Sequence, residues 1–544
     1  MSFDWKNPYP TVRTPVFARN VVSTSQPLAA QAGLHVLQRG GNAVDAAVAA
    51  AAVLPLTEPC SNGLGSDNFA ILWDPGTQQL HGLNSSGTAP AAWTLDHFRR
   101  KYGDDPAKRP TRGWDAVTVP GAVAGWSLLH RRFGKLPFGE VLAAARHYAE
   151  RGFAVSAIVQ EKWTLAAPVL KDLPGWAEHF LPRGRAPQVG EHFTLAGASR
   201  TLQLVADSHG EAFYKGEIAD AIARYAQATG GALTAADLAA YWDWAQDNAW
   251  VDTISTEFHG HQLHEIPPNG QGIAALICLG ILRHTDIASH ALDSADWQHV
   301  AIEAMKLAFA DVYRYVGDPR AMKVTPAQML DDAYLAARAR RIDMQRAQAM
   351  TAGSPPRGGT VYLTTADASG MMVSFIQSNY MGFGSGIVVP GYGISLQNRG
   401  AGFSLDPDSP NCVAPGKRPF QTIIPAFLMK DGVPQMSFGV MGGNMQPQGH
   451  VQTLLRMLLK RQQPQAACDA PRWRVMHGLD IEIESAMGQA VAGELAARGH
   501  RITQSKDTYM DFGSGQFIWC LGDPAVEGYV AASDSRRDGL AAGF

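Results

Sequence analysis

Gly358-Gly359-Thr360 stands where the irregular stretch Thr351-Ala352-Gly353-Ser354-Pro355-Pro356-Arg357 gives way to a strand-like run, Val361 to Ala366. A threonine hydroxyl is a poor nucleophile without a base. A cut before Thr360 would supply one, because the new α-amino group has a reference pKa of about 7.7–8.0 and can take the hydroxyl proton. Glycine at 359 puts no side chain in the way of attack on its carbonyl. Spacing alone favours a plain strand start over a nucleophile.

A second candidate is Gly442-Gly443, which follows the apolar stretch Met436 to Val440. Paired glycines let successive backbone N–H groups point into a cavity and hold an oxyanion, though they also suit a simple turn at a strand end. Gly382-Phe383-Gly384-Ser385-Gly386 lacks the helix and lysine that a phosphate loop needs. His259, His261, His264 and Glu265 look like metal ligands. On a strand only His259 and His261 share a face, so surface histidines without a metal are the expectation. No H-E-x-x-H or G-x-S-x-G signature occurs.

The elements that must position these residues are legible in outline. Val21 to Pro59 predicts two helices broken at Gly40-Gly41, with Pro27 in the first turn of one and Asn42 and Asp45 capping the other. The second is nearly all Ala and Val, so it should be buried all round. Residues 61–90 read as Gly-rich turns around a strand, Phe69 to Trp73. Residues 115–350 read as mainly helical, for example Ala295 to Val316, with a strand pair near Thr253 to Ile266. After Thr360 the pattern is strand-rich: Val361 to Ala366, a turn at Asp367 to Gly370, Met371 to Gln377, and further strands to residue 440. A helix is predicted near Gln448 to Leu459. Together these predict sheets sandwiched between helices rather than separable domains.

Bulk properties narrow the function. The chain has 544 residues and a formal net charge of −3, with no basic run, which argues against nucleic acid or an anionic membrane as partner. Five widely spaced cysteines without a C-x-x-C argue against a disulfide framework or structural zinc. The first residues lack a basic-then-apolar signal, and the longest apolar stretch, Ala43 to Leu56, holds Asp45 and is too short to span a bilayer. A cytoplasmic, soluble protein is the expectation.

Several segments, taken in order, resemble the gamma-glutamyltransferase family. They are Gly40 to Ala49, Val119 to Gly125, Phe213-Tyr214-Lys215-Gly216, Glu303-Ala304-Met305-Lys306, Thr360 through Gly386, and Gly442-Gly443. The resemblance runs from about Val21 to Phe544. It implies an α+β fold, the four-layer αββα N-terminal-nucleophile hydrolase sandwich. It also implies self-cleavage between Gly359 and Thr360 into a large subunit, 1–359, and a small one, 360–544, intertwined as one unit, with dimerisation left open. Thr360 falls on the family's nucleophile, Ser378 on a hydroxyl residue near the new amino group, and Gly442 and Gly443 on the oxyanion-hole glycines. No metal or organic cofactor is implied.

The departures concern the substrate pocket. Ser86 stands for the arginine that grips the glutamyl α-carboxylate, and Gly402 for the acidic residue that holds the α-amino group. Gln421-Thr422 replace paired serines, and Tyr380 replaces an asparagine. Arg399 is a new charge, and a guanidinium can grip a carboxylate through two parallel hydrogen bonds. An arginine at the surface or a subunit interface is an equally good reading of Arg399. Ser374 to Tyr380, with Gly382 to Gly386, resembles the branch that holds oxamate amidohydrolase. The expected substrate is therefore the amide of a small carboxylate-bearing molecule. The alternatives are a γ-glutamyl hydrolase or transferase acting on glutathione-like donors, and a catalytically silent ligand-binding relative.

Overall fold

A computed structural model of the chain describes residues 13–103, 105, 108–349, 359–505 and 512–544. The loop expected at Thr351 to Gly358 lies outside them. Alternation along the central strands dictates the architecture. In the Gly359–Ala366 strand, Val361 and Leu363 pack outward into a helical core. Tyr362 and Ala366 pack inward, into a core between two sheets. In the Ala426–Lys430 strand, Phe427 and Met429 face that same inner core, while Ala426 and Leu428 face a third core under the opposite helices. Period-two alternation thus stacks four layers, helix–sheet–sheet–helix.

Each sheet has seven antiparallel strands. One runs, in spatial order, Leu540–Gly543, Val21–Thr24, Gly359–Ala366, Met372–Tyr380, Asp67–Asp74, Gln79–Ser85 and Trp250–Val251. The other runs Val16–Ala18, Tyr529–Ser533, Ser514–Cys520, Val433–Met441, Ala426–Lys430, His261–Glu265 and Ile254–Phe258. Both sheets draw strands from each side of the Gly359–Thr360 bond. The Gly359–Ala366 strand itself lies between Val21–Thr24 and Met372–Tyr380.

The Ala43–Thr57 helix is buried at every position. Asn42 and Asp45 form a reciprocal capping box at its start, and Asp45 also accepts from the backbone of Lys135 and Leu136. Its first residues are tied to the turn after the Gly359–Ala366 strand. The Ala43 N–H donates to Asp367, and Thr365 donates to the Ala43 carbonyl. Asn62 caps the other end by donating to the Leu54 and Glu58 carbonyls.

Most predicted elements are present. The helices Pro27–Gln38, Ala295–Tyr315 and Met445–Lys460 and the strands Asp67–Asp74 and Met372–Tyr380 match their expected places within a few residues. Two strands differ from expectation. Val21–Thr24 is a central strand rather than the start of a helix, and Gln79–Ser85 is a strand within the expected Gly-rich turns. All five cysteines are free. No helix among the described residues is long and apolar enough to cross a membrane.

The all-buried helix gives a test. Ala47 is fully buried in the outer core, so Ala47→Leu has no space to fill and should cost about 1–3 kcal/mol. The expected outcome is a lower thermal unfolding midpoint than that of the unaltered protein, measured by calorimetry.

Candidate active site

Thr360 sits at the rim of its strand, beside a break in register between Gly359 and Val361, with only 3% of its surface exposed, and lines the same cavity as Met441 of the second sheet. Its hydroxyl donates to Ser378 Oγ at 3.2 Å. The Ser378 hydroxyl donates to the Gly359 carbonyl at 2.7 Å and accepts the Tyr380 N–H at 2.8 Å. In the uncut chain one serine therefore touches both the threonine hydroxyl and the carbonyl of the residue before it. Sequence reasoning placed Ser378 beside an amino group; its contact with the Gly359 carbonyl was not foreseen.

Gly359 is held tightly. A Cβ there would lie 2.9 Å from the Cys60 carbonyl oxygen and 3.2 Å from the Cα atoms of Ser61 and Gly382. The loop that crowds it is itself pinned to the Met372–Tyr380 strand. Gln377 donates to Asn62, and Ser66 donates to Asn379.

Gly442 and Gly443 follow directly on the Val433–Met441 strand, with φ of 124° and 60°. Those values suit glycine and turn the chain into the Met445–Lys460 helix. The Gly442 and Gly443 carbonyls accept from Met445 and Gln446 in the first helical turn. The positive end of a 16-residue helix thus lies beside the pair. Met441 and Gly442 line the same 250 Å³ cavity as Gly359 and Thr360.

Arg399 is fully buried, which corrects the reading of it as a surface or interface arginine. It donates to Thr422 Oγ1 at 2.7 Å and to Ser378 Oγ at 3.4 Å, and its Nε has no partner among the described residues. The Tyr380 ring lies 4.3 Å from the guanidinium carbon, a cation–π contact, and Tyr380 reaches it from a left-handed backbone with φ of 77°. Burial lowers the Arg399 pKa to about 10, opposed by Tyr380 and Asp67. It remains charged at neutral pH.

Of the other expected pocket residues, Gln421 donates to Asp67 at 2.6 Å. Ser86 donates to Asn84 at 2.7 Å and accepts from Asn269. Gly402 lies in a short 3-10 turn with Arg399. Asp67 is the residue that sequence reasoning missed. It opens the strand beside Ser378, in direct register with it, and accepts from Gly87, Gly121, Gln397 and Gln421. Burial raises its pKa to about 6 against the pull of Arg399 and these donors. A lone aspartate in a Gly-rich stretch carries no spacing signal.

The histidine cluster does not assemble. His259 is exposed in a turn, His264 pairs with Thr253, and Glu265 is buried against His450 at 2.8 Å. Among the described residues the grouping with metal-ligand geometry is His299, Glu303 and His500. There the Lys306 ammonium already donates to Glu303 and lies 3.2 Å from His500 Nδ1. A cation in that place is the wrong charge for a metal site.

Comparison with known proteins decides the family. The model for gamma-glutamyltranspeptidase matches residues 29–544. The chain belongs to the gamma-glutamyltranspeptidase family. It is 34% identical to a glutathione hydrolase-like proenzyme of Bacillus subtilis, over 97% of this chain and 98% of that protein. It is 33% identical to the oxamate amidohydrolase proenzyme of Klebsiella pneumoniae, over 95% of this chain and 97% of that one. Its fold matches the crystal structure of cephalosporin acylase from Bacillus halodurans with a TM-score of 0.93 and 44% identity, covering 100% of this chain and 99% of that one. The family and these relatives make the chain an amide hydrolase of the N-terminal-nucleophile class, and the four-layer sandwich is that class's fold.

Asp67 yields a pH test. Its raised pKa makes the folded protein the tighter proton binder between about pH 3.8 and 6. Ionisation of Asp67 therefore lowers stability as pH rises through that window, with no further loss above it. The stability of the unaltered protein relative to Asp67→Asn should fall between pH 4 and 6 and stay level from 6 to 8, read from unfolding midpoints across pH.

Proposed function

We propose that the chain is a self-processing N-terminal threonine amidohydrolase acting on amides whose acid half is small and carries a carboxylate, with oxamate as the simplest example. The observation that carries this reading is the fully buried Arg399 guanidinium. It reaches Ser378, which in turn holds Thr360.

The geometry of the uncut chain supports a route for processing. Thr360 Oγ attacks the Gly359 carbonyl carbon while its proton passes to Ser378 and the Ser378 proton passes to the carbonyl oxygen. The proton on the former carbonyl oxygen then passes to the Thr360 nitrogen as the C–N bond breaks, so the nitrogen, which had one hydrogen, leaves as an α-amine with two and the ester carbonyl re-forms. Water then hydrolyses the ester between Gly359 and Thr360 Oγ. This gives the 1–359 and 360–544 pieces, which stay interleaved through both sheets.

In turnover the free amine of Thr360 takes the hydroxyl proton and Oγ attacks the substrate amide carbon. N–H groups of the Gly442-Gly443 turn, at the positive end of the following helix, stabilise the oxyanion. The amine half leaves with the proton, and water releases the acid. Arg399 grips the acid's carboxylate, Tyr380 fixes the guanidinium plane, and Thr422 and Gln421 complete the polar wall. The relatives' names support amide chemistry on more than one acid: oxamate in one, cephalosporins in another, glutathione in a third. The γ-glutamyl alternative is weakened because Ser86 and Gly402 offer neither a charge for an α-carboxylate nor one for an α-ammonium group.

Two outcomes are expected. Thr360→Ala should give one uncut chain by intact mass under denaturing conditions and no ammonia from oxamate, whereas the unaltered protein gives two pieces meeting at Gly359/Thr360. A Thr360→Ala protein that still splits refutes the mechanism. Arg399→Met should lower kcat/KM on oxamate by at least about 30-fold, since loss of a buried charged contact costs about 2–5 kcal/mol. Faster release of glutamate from a γ-glutamyl anilide than of ammonia from oxamate would return the reading to a γ-glutamyl hydrolase.

A further inference from the structure

The cavity at Thr360 has a second wall that the proposed chemistry leaves unused. The helix Ala157–Leu170 presents Lys162, Leu165, Ala166 and Val169 to it, at i, i+3, i+4 and i+7, so one helical face is turned to the site. Ala166 on that face packs against the helical core, but Leu165 and Val169 stand outside it. Leu165 is 58% and Val169 66% exposed, which is unusual for large apolar side chains flanking a polar site. Phe383 completes the apolar lining.

Three cations stand around these apolar groups: Lys162, Arg112 and Arg537. Arg112 is anchored by donating to the Gly382 and Gly384 carbonyls, and Arg537 by donating to the Arg536 carbonyl. Lys162 makes no hydrogen bond or ion pair among the described residues. Burial, with Arg537 close by, lowers its pKa, and Cys60, Glu58 and Asp538 oppose this only through space. No carboxylate lines the cavity. Arg399 is not part of this wall; it approaches Ser378 from the side of Thr422. The two halves of an amide diverge from its carbonyl, so a substrate whose acid half is held by Arg399 sends its amine half elsewhere. At 250 Å³ the cavity is smaller than the roughly 300–1,000 Å³ of drug-sized ligand sites and suits a fragment of about one ring.

We propose that this cavity is the subsite for the amine half of the substrate, and that it selects amines with an apolar body and a carboxylate, the apolar part lying on Leu165, Val169 and Phe383 and the carboxylate meeting Lys162. The inference rests on the reading of Thr360 as nucleophile and of Arg399 as the clamp for the acid half. It adds that ammonia is not the natural leaving group.

The test compares hydrolysis of N-(4-carboxyphenyl)oxamate and N-phenyloxamate by the matured protein. The expected ratio of kcat/KM is at least about tenfold in favour of the carboxylated anilide, the scale of one charge-assisted contact. Lys162→Met should bring that ratio close to one, and Lys162→Arg should keep most of it. A ratio near one in the unaltered protein, or a ratio that survives in Lys162→Met, overturns the proposal. If neither anilide nor oxamate is hydrolysed, the acid-half reading has failed, and the subsite is judged by calorimetry with 4-aminobenzoate and aniline. Tighter binding of 4-aminobenzoate that is lost in Lys162→Met supports the subsite; equal binding of the two refutes it.

Discussion

The site depends on the limited capacity of one hydroxyl. Ser378 has a single proton to give and two lone pairs to offer. It gives the proton to the Gly359 carbonyl and takes those of Thr360 and Tyr380, with Arg399 approaching at longer range. Nothing else can be accommodated, so its position must be fixed by the backbone. Strand pairing does this. Ser378 lies opposite Asp67 in an antiparallel register that continues through Gln377 and Ile376, and a one-residue slip would turn it to the other face.

The same register sets the electrostatics. Asp67 is buried with four donors around it and Arg399 near enough to weigh on its ionisation. Arg399 is buried with a ring across its face and hydroxyls at its ends. Neither charge would be tolerated alone in this interior, since unpaired buried charges are among the costliest groups in a protein. Their coexistence keeps a cation in place beside Ser378 without requiring solvent. The strain at Tyr380, a non-glycine residue in left-handed backbone, is the local cost of laying its ring over the guanidinium.

Much of this was readable from residue types. The Asn42-to-Asp45 capping box, the all-small helix after it and the alternation from Val361 to Ala366 are local signals, and each element is present. The failures are non-local. Val21–Thr24 reads as the entry to a helix because four residues carry too little pattern to declare a strand; its partners are hundreds of residues away. Gln79–Ser85 holds only two large apolar residues, Leu80 and Leu83, and its buried end includes Asn84 and Ser85, so it carries no strand-like alternation of its own. Asp67 and Arg399 carry no motif of their own, since their importance comes from what the two sheets bring around them. The Lys162 face reads as an ordinary helix until Arg112 and Arg537, from distant parts of the chain, are seen beside it.

The interleaving of strands across the Gly359–Thr360 bond bears on how the molecule is made. Each sheet closes only when segments from both sides of that bond are present, so the bond is a tether that keeps their effective concentration high while the sheets assemble. A break in it afterwards costs the finished structure few contacts but removes the tether. Two pieces that come apart would have to meet again by diffusion, each lacking the neighbours its central strands need. Under the proposed processing the order of events would act as a one-way gate: assembly first, then scission, with the native state of the cut form held by the barrier to its own unfolding.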